Sequence, residues 1–137
     1  GIALALEAEA PGLRARTAEP EGFDDAARSL AAGEITRNAA LGGSICDAIV
    51  TPQPGDLTFP ILKRLCGPGL VVSDAEALQA IGHAFNRLKL VAEPGGAVAL
   101  AAALFRQDEI DGDDVIVTIS GGNVDSDIFS RALATLD

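Results

Sequence analysis

Nine consecutive residues, Val115-Ile116-Val117-Thr118-Ile119-Ser120-Gly121-Gly122-Asn123, constrain the fold of this 137-residue chain more than any other stretch. An unbroken β-branched run of this kind reads as one strand buried on both faces, as in the interior of a parallel sheet. It stops abruptly at a hydroxyl, two glycines and an amide. In an open α/β sheet, ligands lie in the crevice beyond the carboxyl ends of the strands, so Ser120 and Asn123 are expected where a ligand's polar atoms would sit. Taken alone, the same residues also describe a strand-to-helix turn that needs glycine for its backbone angles.

The rest of the chain has the alternating rhythm of an α/β fold. A helix over residues 1–10 ends at Pro11-Gly12, and a short strand follows over Arg14 to Ala18, closing at Glu19-Pro20. A helix over Asp25–Ala32 carries acidic residues in its first turn and stops at Gly33. Glu34 to Gly55 reads as loop around a short apolar piece, Asp47 to Val50, able to cross the sheet or cover a cleft. A helix over Leu57–Leu65 requires Pro60 to fall in its first turn. Leu70-Val71-Val72 is a brief strand, and Ser73 with Glu76 has capping-box spacing. The helix it opens places Leu78, Ile81, Phe85 and Leu88 on one core-facing stripe. A further helix starts at Glu93-Pro94-Gly95-Gly96, runs to Gln107 and is apolar nearly all round. Asp125 then caps a last helix bearing Ile128, Phe129, Leu133 and Leu136.

Composition narrows the functional classes. Twenty acidic against ten basic residues give a formal charge of −10, the wrong sign for gripping a polyphosphate backbone, so nucleic acid is not expected as a partner. The longest apolar run, Ala97 to Phe105, falls well short of the roughly 18 residues of a membrane span, and no membrane association is expected. Cys46 and Cys66 stand apart from each other and from the single histidine, and read as small buried hydrophobes in a reducing, cytoplasmic compartment. The chain has no methionine, and its first residues already look like helix interior. It therefore reads as a piece of a longer protein.

Three motifs in order, Glu19-Pro20 with Asp24-Asp25, then Leu88-Lys89-Leu90-Val91-Ala92-Glu93-Pro94-Gly95-Gly96-Ala97, and finally Ser120-Gly121-Gly122-Asn123-Val124-Asp125, together resemble the C-terminal part of the pyridoxal-phosphate-dependent serine/threonine dehydratase and serine racemase family. Gly1-Ile2-Ala3 resembles the residues just after that family's glycine-rich phosphate loop. The resemblance implies a three-layer α/β/α fold with an open, mostly parallel sheet, like the tryptophan synthase β subunit. Residues 1–137 would form the C-terminal part of the catalytic domain, with the Schiff-base lysine and the phosphate loop upstream and no regulatory domain. It implies a homodimer acting on a small amino acid.

By the same resemblance, Ser120 presents its hydroxyl to the pyridine nitrogen of pyridoxal phosphate, while Gly121, Gly122 and Asn123 shape the rim and Glu93 borders the ring. A carboxylate at position 120 would keep that nitrogen protonated and make the ring a deep electron sink, whereas a neutral hydroxyl leaves a weaker one, suited to rapid loss of a β-hydroxyl. Glu19, Asp25 and the main-chain carbonyl of Phe23 match the family's cation ligands, an all-oxygen set suited to Mg2+ or Ca2+. Capping of helices by Glu93 and Asp25 would account for those two residues without any ligand. The implied reaction is dehydration and deamination of threonine or serine to a 2-oxo acid and ammonia. Serine racemisation and hydroxyaspartate dehydration are alternatives on the same scaffold, and a non-catalytic binding or dimerisation module is the alternative should this chain stand alone. Lys89, at a helix end, is read as a dipole-matching cation and not as the Schiff-base lysine. His83 lies on a helix flank, away from any hydrolase-like arrangement with Ser120.

Overall fold

The computed structural model describes residues 1–136. In order the chain forms α1 (Ile2–Glu9), β1 (Ala18–Pro20), α2 (Asp25–Ala32), α3 (Phe59–Leu65), β2 (Leu70–Val72), α4 (Asp74–His83), α5 (Pro94–Phe105) and α6 (Ser126–Ala134). Short 3-10 turns at Asp47–Ile49 and Gln107–Glu109, and a π-helical turn at Ala84–Leu88, fill the connections. Among the described residues, no helix is long and apolar enough to cross a membrane.

The two strands pair in parallel, Ala18 with Leu70, Glu19 with Val71 and Pro20 with Val72. The first strand therefore lies later than the expected Arg14 to Ala18; only Ala15 contributes from that stretch, through an isolated parallel bridge to Cys66. Proline is accommodated because it ends the strand, and the next ladder bond is made by Glu21, whose N–H donates to the Val72 carbonyl at 2.8 Å. The turn that follows is closed by Phe23 N–H to the Pro20 carbonyl at 3.0 Å. Gly22 occupies its third position at φ +81°, where only glycine is unstrained.

Helix α5 packs against both strands and α4, and α4 in turn packs against α6. The contact surface is built from small residues: Ala77, Ala80, Ala97, Ala101, Ala102 and Ala132 are buried around Ile81, Val72 and Val98. Small side chains let the helix axes approach closely. Gly82 is the extreme case, since a Cβ there would lie 2.8 Å from the Ala132 carbonyl oxygen at the α4–α6 crossing. The apolar α5 is buried along Pro94–Val98 and again at Ala101 and Ala102, in keeping with its unbroken apolar sequence.

Helix α4 opens with the expected capping box: Ser73 Oγ accepts from Glu76 N–H at 3.2 Å, and Glu76 Oε2 accepts from Ser73 N–H at 2.7 Å. Its end departs from expectation. The helix gives way at Ala84 to a π turn that stops at Lys89, which adopts the left-handed conformation at φ 59°. The extra residue in that turn rotates Leu88 off the core stripe, and it is 57% exposed. Phe85 stays inward, edge-on to Phe129 of α6 with ring centroids 5.2 Å apart.

The largest correction concerns Val115–Ile119. The run is not a strand buried on both faces: it makes no ladder among the described residues. Ile119 packs against the core and Val117 is half-buried, while Val115, Ile116 and Thr118 are exposed, Ile116 at 82%. A buried strand needs a hydrogen-bonded neighbour on each side and a covering layer on each face. Here only one face meets a layer.

Candidate functional site

The Ser120–Asn123 turn and the N-terminus of α5 meet through backbone contact. Glu93, the N-cap of α5, donates its N–H to the Gly121 carbonyl at 3.0 Å, and its carboxylate Oε2 accepts the Asn123 N–H at 2.9 Å. One residue thus holds the turn from both sides of the glycine pair. The approach is too close for side chains. A Cβ on Gly121 would lie 2.5 Å from Glu93 Oε1, one on Gly96 would lie 2.5 Å from the Gly121 oxygen, and one on Gly122 would lie 2.6 Å from the Val91 oxygen. Glycine is therefore required here by space and not by backbone angle, since none of the three has positive φ.

This clamp leaves Ser120, Gly122 and Asn123 exposed, with Glu93 and Gly121 half-buried beneath them. Ser120 shares the exposed side of its segment with Thr118 and Ile116, opposite core-facing Ile119. The 3-10 turn at Asp47–Ile49 borders the same place: the Ile49 side chain lies 3.2 Å from where a Gly95 Cβ would be. A neutral hydroxyl at the tip of an extended segment, beside a backbone cradle that admits no Cβ, suits a flat polar heterocycle, and the residues present fit pyridoxal phosphate. The reading from sequence named Glu93, Ser120, Gly121, Gly122 and Asn123 and the structure brings them together. It missed Gly96. A Gly95-Gly96 pair in the first turn of a helix, where glycine is a poor choice, was the available signal.

The second group of candidate residues surrounds the start of α2. Both oxygens of Glu19 accept backbone N–H groups, from Ala26 at 2.9 Å and Ala27 at 2.7 Å, so Glu19 caps the helix from the end of β1. Burial pushes the Glu19 carboxyl up to about 7, the two N–H bonds oppose that rise, and the charges of Asp25 and Asp24 add to it. Asp25 is 2% exposed and accepts from Asn38 Nδ2 at 2.7 Å and from Thr51 Oγ1 at 3.4 Å. Neither Glu19 nor Asp25 forms an ion pair among the described residues. A buried Asp25 and a half-buried Glu19, neither with a cationic partner and each with lone pairs left over, fit a hard divalent cation. No group of three His, Cys, Asp or Glu side chains at metal-binding spacing occurs among the described residues, so a cation here would rely on main-chain oxygen such as that of Phe23.

The remaining reactive side chains lie elsewhere. Lys89 is exposed, donates Nζ to the Asn86 carbonyl at 3.0 Å and lies 5.7 Å from the Phe85 ring centre. His83 is half-buried on its helix flank. Cys46 is fully buried and its thiol is pushed up to about 11, chiefly by that burial, whereas Cys66 is only half-buried.

Comparison with known proteins shows the family and the fold. The family described as pyridoxal-phosphate dependent enzyme matches residues 1–122. The chain is similar to serine racemase of Oryza sativa subsp. indica, 37% identical over 97% of this chain and 40% of that protein. It is also similar to L-threo-3-hydroxyaspartate ammonia-lyase of a Pseudomonas species, 34% identical over 97% of this chain and 41% of that protein. Among solved structures, the T.th. threonine deaminase superposes with a TM-score of 0.85 at 39% identity, covering 90% of this chain and 41% of that one. The chain thus spans about 40% of the length of the curated relatives it matches. It belongs to the pyridoxal-phosphate dependent enzyme family, in the α/β fold shared by the threonine deaminases and serine racemases.

Proposed function

We propose that this chain forms part of an enzyme that dehydrates and deaminates a β-hydroxy amino acid, threonine or serine, to a 2-oxo acid and ammonia. The observation that carries the reading is the clamp of Glu93 on the glycine turn, which presents the Ser120 hydroxyl at an open segment tip beside Asn123. Bound pyridoxal phosphate supplies an electron sink for the charge left when the α-proton of an amino acid departs. Ser120 would offer the ring nitrogen a neutral hydroxyl that does not enforce its protonation. Gly121, Gly122 and Asn123 would hold the cofactor's rim, and Glu93 fixes the backbone of that rim. The amine that would hold the cofactor is assigned to a lysine outside these residues; of the two lysines here, Lys89 donates its Nζ to the Asn86 carbonyl and Lys63 to the Gly33 carbonyl.

Serine racemisation and hydroxyaspartate dehydration begin with the same proton abstraction, and the similarity to a rice serine racemase and a Pseudomonas hydroxyaspartate ammonia-lyase favours carrying both as second readings. Chiral analysis of products from the full-length protein, given L-serine, L-threonine and L-threo-3-hydroxyaspartate in turn, separates them. D-serine as the main product from L-serine would replace dehydration with racemisation. For the principal reading, Ser120→Asp in the full-length enzyme is expected to slow elimination and alter the cofactor's absorption. Unchanged kinetics and spectrum would remove Ser120 from the mechanism.

A divalent cation, Mg2+ or Ca2+, belongs to the same proposal, held by Glu19, Asp25 and the Phe23 carbonyl. What supports it is the buried Asp25 and the half-buried Glu19, neither of which is paired with a Lys or Arg among the described residues.

A further inference from the structure

Asn38 is buried, 8% exposed, in the middle of a segment whose sequence reads as loop. Both polar atoms of its side chain are used. Its Nδ2 donates to Asp25 Oδ1 at 2.7 Å and to the Thr51 carbonyl at 2.7 Å. Its Oδ1 accepts from the Arg28 guanidinium, and its backbone N–H donates to the Pro52 carbonyl at 2.8 Å. The amide orientation is fixed by these neighbours, since a flipped amide would set its oxygen against two acceptors and its nitrogen against a guanidinium. The bonds to Thr51 and Pro52 also bring the two ends of the intervening segment together, making residues 39–51 a closed loop.

The far side of that loop is tied to the starts of α4 and α5. Ser44 Oγ donates to Asp74 Oδ1 at 2.6 Å and Ile45 N–H to Asp74 Oδ2 at 3.1 Å, at the start of α4. Ile49 lies against Gly95, two residues from Glu93. One amide therefore touches a carboxylate proposed as a cation ligand and also closes the loop that abuts the proposed cofactor rim.

We propose that Asn38 is a positioning residue: it orients Asp25 for a divalent cation and couples occupancy of that position to the order of the 39–51 loop. This rests on the cation reading given above. A carboxylate fixed by a neighbour's hydrogen bond is ready to bind without losing rotamer freedom, and removal of such a neighbour typically weakens a metal about 10–100-fold.

The test uses the full-length, cofactor-loaded protein, titrated with MgCl2 or CaCl2 alone, reading melting temperature and amide hydrogen exchange of residues 39–51. In the wild type, cation raises the melting temperature and protects the loop. In Asn38→Ala the cation midpoint rises by about 10–100-fold and the cation-dependent protection is lost. Ser29→Ala is the control: Ser29 is fully buried and its hydroxyl bonds Thr36 at the loop's approach, whereas the Asp25 carboxylate is bonded by Asn38 and Thr51, so the substitution lowers stability and leaves the midpoint alone. Should Asn38→Ala fail to fold, Thr51→Val carries the test, and a smaller rise of the midpoint is expected. An unchanged midpoint in the folded variant, or an equal rise in Ser29→Ala, overturns the role of Asn38 while the cation stands. A wild type indifferent to both cations overturns the cation reading itself, and this inference with it.

Discussion

Ser120 does its proposed work only because three glycines let backbone meet backbone beneath it. The consequence is testable at Gly96, where a Cβ would stand 2.5 Å from the Gly121 oxygen and 2.7 Å from its nitrogen. Neither is the end of a flexible side chain, so the turn must move. Gly96→Ala is expected to cost about 1–3 kcal/mol in urea denaturation and to weaken cofactor binding in the full-length protein, because the displaced turn carries Ser120 with it. Unaltered stability and cofactor affinity would show that the clamp is slack. At this scale the sequence was informative: a hydroxyl, glycines and an amide after an apolar run mark a turn with polar atoms to offer. What it could not convey was which glycines are required by crowding, because that depends on Val91, Glu93 and Gly96, which lie far off in the chain. Asn38 was invisible for the same reason, its partners Asp25 and Thr51 being distant in sequence and its own neighbourhood reading as loop.

The clearest element is α4, and its capping box is anchored further by Arg106. The guanidinium donates to both Glu76 oxygens, at 2.6 and 2.8 Å, and from Nε to the Val71 carbonyl at 2.9 Å, joining the start of α4, β2 and the end of α5. The Arg106 hydrogen bonds hold the Glu76 carboxyl below its ordinary value, aided by the Ser73 bonds and opposed by partial burial. A carboxyl whose folded pKa is depressed stabilises the fold above its unfolded pKa of about 4.3, and that contribution is lost as pH falls through the folded pKa. Glu76→Gln is therefore expected to destabilise by about 1–3 kcal/mol at pH 7 and to lose little more on acidification. Urea melts at pH 7 and pH 3 check this, and an equal penalty at both would contradict it. The helices were legible because caps and apolar spacing are local. The π turn at Ala84–Leu88 was not, since helical spacing continues through it; packing of Phe85 on Phe129 and of Gly82 on α6 accompanies the change of register.

For the molecule as a whole, the parallel pairing of β1 with β2 agrees with the mostly parallel sheet that the family resemblance implies, while the alanine-rich packing of the helices was not foreseen and the expected inner strand did not form among the described residues. Val115 and Ile116 are exposed at 49% and 82%, and their segment joins no ladder among the described residues. An apolar edge of that kind is a template for pairing with another chain. The 137-residue chain by itself is expected to self-associate at micromolar concentration, and Ile116→Lys to reduce that association in light scattering; a monodisperse monomer would contradict the exposure of this edge. The same isolated chain mixed with pyridoxal phosphate is expected to give no imine absorption band that depends on Lys89. The central claim, that a neutral hydroxyl meets the ring nitrogen, is tested most directly in the intact loaded protein. The 15N chemical shift of isotopically labelled cofactor reports whether that nitrogen carries a proton. It should read as unprotonated in the wild type and shift to the protonated range in Ser120→Asp. A nitrogen already protonated in the wild type, or a shift indifferent to the substitution, would contradict the account.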